Sequence, residues 1–179
     1  MKIIIIRHGK VNMQWRKWST SKQFDMDCIK YDDSPLYPIS DRMELDDETD
    51  AIYISTLRRS RETAEEIFNR KDFIETELLN EVPLKSFCDS KVSLPLLVWN
   101  IAGRLQWLLQ NKRQTEIKSS TKKRADDLIE IILQKNKDCV LVSHGFFMKT
   151  LIRELKRYGY VINRNKVSFA NLEKVIAIK

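Results

Sequence analysis

The chain has 179 residues, an apolar fraction of 42% and a net charge of +7, which together predict one domain over 1–179 with a substantial core and a leaning towards anionic partners. No stretch reaches the ~20 apolar residues of a membrane helix. The three cysteines, Cys28, Cys88 and Cys139, form no C-x-x-C pair, which argues against a zinc knuckle or redox pair and for free thiols in a reducing, cytoplasmic setting.

Lys2–Ile6 reads as the first strand. Its isoleucines follow Met-Lys as a signal peptide would, but the run stops at Arg7, short of the ~7–15 residues of a signal h-region. An irregular stretch with Pro35 and Pro38 runs from Gln14 to about Asp50, and so long a loop is usually functional or partly helical. Within it, Asp46-Asp47-Glu48 reads as a solvated run rather than a cation site. Ala51–Ser55 is the second strand, and Ser55 or Thr56 caps a helix over Arg58–Asn69. Phe73–Thr76 reads as an edge strand. Apolar spacing over Leu94–Leu109, with Trp99, Leu105, Leu108 and Leu109, predicts a helix packed on the sheet. The lysine-rich run Asn111–Arg124 reads as a loop into a helix at Lys122–Gln134, capped by Ser119, Ser120 or Thr121. Cys139–Ser143 is a buried strand and Phe146–Lys156 a helix, while Val167–Asn171 and Lys174–Ile178 form a closing pair of strands. The alternation predicts an α/β fold with a mostly parallel sheet.

The chain holds only two histidines, and each precedes one of its four glycines after a short apolar run: Arg7-His8-Gly9 and Ser143-His144-Gly145. Two imidazoles thus reach the carboxyl ends of two strands, where open α/β sheets build their sites. A glycine there allows a sharp turn or a close approach. Arginine beside a nucleophilic histidine suits phosphoryl transfer, because a guanidinium grips phosphate oxygens bidentately and imidazole can carry a covalent intermediate. The segment Ser55-Thr56-Leu57-Arg58-Arg59-Ser60-Arg61 opens a helix after a strand, an anion site in its own right. Its three arginines oppose the helix dipole, and a bound phosphate would offset that mismatch.

These segments resemble the histidine phosphatase superfamily, phosphoglycerate mutase-like branch. Arg7-His8-Gly9 is similar to its first motif, with His8 in the nucleophile position. Ser55-x-Leu57-x-Arg59-x-x-x-Thr63-Ala64 resembles the second and marks Arg59 as the phosphate-binding arginine. Ser143-His144-Gly145 matches the late histidine, and Leu79-Asn80-Glu81 the segment carrying the acid. The chain departs from the family pattern at Lys10, Val11 and Gln14, and Val82–Lys91 contains no glycine, so Glu77, Glu75 and Asp89 stand beside Glu81 as acids.

The resemblance implies a three-layer α/β/α sandwich and a phosphomonoester hydrolase working through phosphohistidine on His8. Arg7, Gly9, Arg59 and His144 would bind the phosphoryl group, Glu81 would be the acid, and no metal or cofactor would be needed. The expected partner is a phosphorylated small molecule or a phosphoprotein, with neither nucleic acid nor membrane. Phosphohistidine-protein phosphatase and mutase-type transferase are related alternatives, although mutases tend to be longer. A phosphate-binding module without turnover is the non-enzyme alternative. The cluster Lys112, Arg113, Lys118, Lys122, Lys123 and Arg124 lacks the interleaved aromatics of a nucleic-acid surface.

Overall fold

A computed structural model describes residues 1–40, 49–68, 71–164, 168 and 170–179. In chain order the elements are β1 (Lys2–Arg7), β2 (Trp18–Ser19), α1 (Ser21–Asp33), β3 (Ala51–Ser55), α2 (Arg58–Ile67) and β4 (Ile74–Thr76). A 3-10 turn (Glu77–Leu79) follows, then β5 (Leu94–Pro95), α3 (Leu96–Leu108), α4 (Lys118–Lys135), β6 (Cys139–Ser143), α5 (Gly145–Arg157), β7 (Val161–Ile162) and β8 (Lys174–Ile178).

The main sheet runs β4-β3-β6-β1-β8-β7. β4, β3, β6 and β1 are mutually parallel, and β8 runs against β1 and β7. The central strands are continuous β-branched or aliphatic runs, as burial on both faces requires. Ile3 and Ile5 pack with Leu128, Ile129, Leu151 and Leu155 of α4 and α5. Ile4 and Ile6 point the other way, onto Ala64 of α2 and Phe68. Helices therefore cover both faces, giving three layers.

The long irregular stretch contains a helix. Thr20 opens α1 with a reciprocal capping box: Thr20 Oγ1 accepts from Gln23 N at 3.4 Å, and Gln23 Oε1 accepts from Thr20 N at 3.0 Å. Residues 41–48, including the acidic run, lie outside the described residues, as does the expected last residue of α2, Asn69.

Other boundaries differ for local reasons. No side chain caps α2; its N-cap position is Leu57, whose own N–H donates to Ser55 Oγ at 3.1 Å. α4 starts at Lys118, ahead of the expected Lys122, with Ile117 as N-cap and no side-chain cap. Thr121 lies inside that helix and accepts from Trp107 Nε1 at 2.9 Å. The partner of β8 at the sheet edge is β7, not Val167–Asn171; residues 165–167 and 169 lie outside the described set, and Ser168, Ala170 and Asn171 are in no strand.

In α3 the rings turn inward. Trp99 is fully buried, donates to Ser19 O at 2.9 Å and stacks on Phe24. Leu105, Leu108 and Leu109 of the expected buried stripe are exposed instead. The helix is apolar on every side, so spacing alone could not choose the buried face.

Candidate active site

β1 and β6 are adjacent and parallel, with Arg7 opposite Ser143. The next residues, His8 and His144, therefore leave the sheet side by side, with ring centroids 5.1 Å apart. β3 flanks β6 and ends at Ser55, from which the chain turns into α2 and Arg59. Ser60 ties this turn down: its Oγ donates to Val142 O at 2.6 Å and accepts from Ser55 N at 3.2 Å.

His8 is buried, and its Nδ1 lies 2.7 Å from Gly9 O. A carbonyl only accepts, so Nδ1 carries the proton and Nε2 keeps its lone pair. Burial pushes the His8 pKa down to about 3, helped by the charges of Arg59 and Arg7 and partly opposed by the Gly9 hydrogen bond. The ring is thus neutral at physiological pH, with the Nε2 lone pair free of a proton.

His144 is fully buried, and its pKa lies well below the ordinary value, first through burial and then through the Arg59 charge. Arg59 Nε donates to its Nδ1 at 3.1 Å. Nε2 therefore bears the proton and donates to Ser55 Oγ at 2.7 Å, which donates on to Asn80 Oδ1 at 2.8 Å. Both ring nitrogens are engaged; a direct bond to a phosphoryl oxygen requires Nε2 to leave Ser55.

Arg59 is 1% exposed. Besides His144 it holds Asp32 Oδ1 from Nη1 at 2.7 Å, and its guanidinium lies 4.9 Å from the centre of the Tyr31 ring. Thr63 links this arginine to the first motif: its hydroxyl donates to Arg59 O at 2.5 Å and accepts from Gly9 N at 2.9 Å. Gly9 has no left-handed backbone; a Cβ there would meet Leu36 Cδ1 at 3.1 Å and Ile39 Cδ1 at 3.3 Å, so a larger residue would have to push these side-chain ends aside. The dipole mismatch at the start of α2 is offset by protein groups. Arg58 pairs with Glu62 and donates to Asp33 O, Arg59 pairs with Asp32, and Arg61 pairs with Glu75.

Glu81 sits at the start of α5. Oε1 accepts from Val82 N and Phe147 N, each at 2.9 Å, and Oε2 accepts from Phe146 N at 3.1 Å. The helix dipole favours a carboxylate there. Arg104 lies beside it, donating to Val82 O at 3.0 Å and stacking over Phe146 at 3.9 Å.

Over residues 3–166 the sequence matches the histidine phosphatase superfamily (branch 1). The chain belongs to this superfamily. Among solved structures, this histidine phosphatase is similar to a phosphoserine phosphatase from Entamoeba histolytica, seen as a mutant with phosphoserine, at 23% identity and a TM-score of 0.61, covering 98% of this chain and 89% of that one. It is also similar to a mycobacterial glucosyl-3-phosphoglycerate phosphatase at 14% identity and a TM-score of 0.54, covering 98% and 88%. These likenesses are of fold. No curated protein matches the chain significantly. No helix among the described residues is long and apolar enough to cross a membrane.

Of the residues singled out from the sequence, His8, Gly9, Arg59 and His144 form one connected cluster, and Arg7 adds its charge to both imidazoles. Glu81 lies one helix start away. Glu75 and Asp89 are engaged elsewhere, by Arg61 and Arg113. Tyr31, Asp32 and Asn80 join the cluster without having been expected. Asn80 adjoined a marked position, whereas no motif pointed to Tyr31 or Asp32.

Proposed function

We propose that this histidine phosphatase hydrolyses phosphomonoesters through a covalent phosphohistidine on His8. The observation that carries this is the His8 ring itself, neutral, fixed through Nδ1 on Gly9 O, and within the field of Arg59 and Arg7. His8 Nε2 attacks phosphorus, a P–N bond forms, and the ester P–O bond opposite it breaks. Arg7 and Arg59 hold the non-bridging oxygens as charge moves onto the leaving group. His144 fixes the Arg59 fork from behind through Nδ1, while its Nε2 proton stays on Ser55 Oγ. Glu81 is the acid of the scheme: it must enter protonated, against the preference of its three backbone N–H donors for the carboxylate, and it passes that proton to the departing alkoxide. The carboxylate then takes a proton from water, the water oxygen attacks phosphorus, and the P–N bond breaks to restore neutral His8 and release inorganic phosphate. Charge is handled by guanidinium groups, so the scheme uses no metal or cofactor.

The substrate class is a phosphorylated small molecule, a reading supported by the phosphoserine bound in the Entamoeba histolytica relative. Incubation with p-nitrophenyl phosphate and excess EDTA tests the activity: phosphate release by the wild type and none by His8→Ala is expected. Phosphate binding without turnover would instead favour a binding module.

A further inference from the structure

The C-terminal turn of α1 places a carboxylate on the arginine that the proposed reaction needs. Asp32 Oδ1 accepts from Arg59 Nη1 at 2.7 Å, and the preceding residue, Tyr31, lies against the same guanidinium. The two partners differ sharply in exposure: Arg59 is 1% exposed and the Asp32 side chain 48%. We infer that Asp32 is a competing ligand of Arg59, and that a phosphoryl group binds by displacing the Asp32 carboxylate from this guanidinium. The inference rests on the reading of Arg59 as the phosphate-binding arginine.

Three features support displacement over simple orientation. First, Arg59 keeps its place without Asp32. Its Nε is held by His144 Nδ1 at 3.1 Å and its carbonyl by Thr63 Oγ1 at 2.5 Å. Second, α1 is anchored at both ends, so the half-exposed Asp32 side chain, rather than the helix, is the part that moves away. Near the start, the Thr20 capping box, the Asp25 carboxylate on Ser86 N at 2.7 Å and the Phe24–Trp99 stack fix the helix. At the end, Arg58 Nη1 donates to Asp33 O at 3.3 Å, and the chain just beyond is held by Leu36 N on Glu62 Oε2 of α2 at 2.7 Å and by Asn12 N on Pro35 O at 2.8 Å. Third, the incoming group is the better ligand. A half-exposed carboxylate is partly satisfied by water and pairs weakly, whereas a dianionic phosphoryl group offers several oxygens to the forked donors. Once phosphate is bound, the Asp32 charge lies close enough to repel it.

Asp32→Asn tests this, because the amide keeps the shape and removes the charge. The readout is binding of inorganic phosphate by calorimetry, together with its inhibition constant against p-nitrophenyl phosphate. Asp32→Asn is expected to bind phosphate roughly tenfold more tightly, the size expected for one partly screened like charge. Asp32→Ala should shift affinity in the same direction. Unchanged or weaker phosphate binding in both variants overturns the inference and makes Asp32 an orienting group. Arg59→Gln, which removes the charge, separates this from the underlying reading: phosphate binding as tight as the wild type's in that variant places the anion elsewhere and overturns both.

Discussion

Arg59 and His144 are 85 residues apart in the chain, and Arg59 Nε donates to His144 Nδ1 at 3.1 Å. A guanidinium cannot accept, so this one bond fixes the tautomer of His144 and the plane of Arg59 together. It also requires His144 to stay neutral, since an imidazolium would have no lone pair for Arg59.

Arg59→Lys keeps the charge and loses the fork that spans His144 and Asp32. Removal of such a preorganised donor typically costs about 10²–10³ in rate. The expected outcome is a fall of that size in kcat/KM on p-nitrophenyl phosphate, with a circular dichroism spectrum like that of the wild type. A change below about threefold would contradict the role given to Arg59.

Stability should fall as pH is lowered. His8 in the folded protein titrates at about 3 and His144 well below 6.5, against 6.5 for a free ring. Between those limits the unfolded chain binds more protons, so the folded state is favoured as pH rises and disfavoured as it falls below about 6.5. Burial of the neutral His8 ring should remove about 1.5 kcal/mol of stability between pH 6.5 and about pH 5, and His144 acts in the same direction. Urea unfolding at the two pH values measures this, and His8→Ala should show a shallower dependence. Equal stability at both values would mean that the rings are not buried as neutral groups.

Glu81→Gln separates acid catalysis from helix capping. A general acid matters most for a poor leaving group, and its loss typically costs about 10²–10⁴. The variant should lose at least about 10² in kcat on an alkyl phosphate and far less on p-nitrophenyl phosphate, whose phenolate needs little protonation. Equal losses on both substrates would reduce Glu81 to a structural group at the start of α5.

Trp99→Ala tests the placement of α3. The side chain is fully buried, bonded to Ser19 O, and packed on Phe24 and Phe87. Truncation of such a residue costs about 3–5 kcal/mol, or roughly 10 °C in Tm for a chain of this size. Leu109→Ala, on the exposed side, should change Tm by no more than about 2 °C.

The site was legible where short motifs end buried strands. The runs before His8 and His144 are apolar enough to mark β1 and β6, and a parallel pairing of such strands brings their ends together without further information. The helix α1 was harder to read because only Ser21, Phe24 and Asp27 of it are buried, too few to produce an apolar period. Its capping box, Thr20-x-x-Gln23, was nevertheless present in the sequence. Asp32 gave no signal at all: one of two adjacent aspartates on a polar helix resembles any solvated pair until the fold brings it to Arg59. The two-residue strands β2 and β5 and the start of α4 are set by tertiary contacts, such as Trp18 opposite Pro95, rather than by local preference.

The most direct measurement is chemical trapping of the intermediate. The protein is mixed with a radiolabelled phosphomonoester, quenched in alkali within a turnover, digested and mapped. An acid-labile, alkali-stable label on the peptide containing His8, absent from His8→Ala, is the expected result. A label on another residue, or turnover that persists in His8→Ala, would contradict a phosphohistidine at this position.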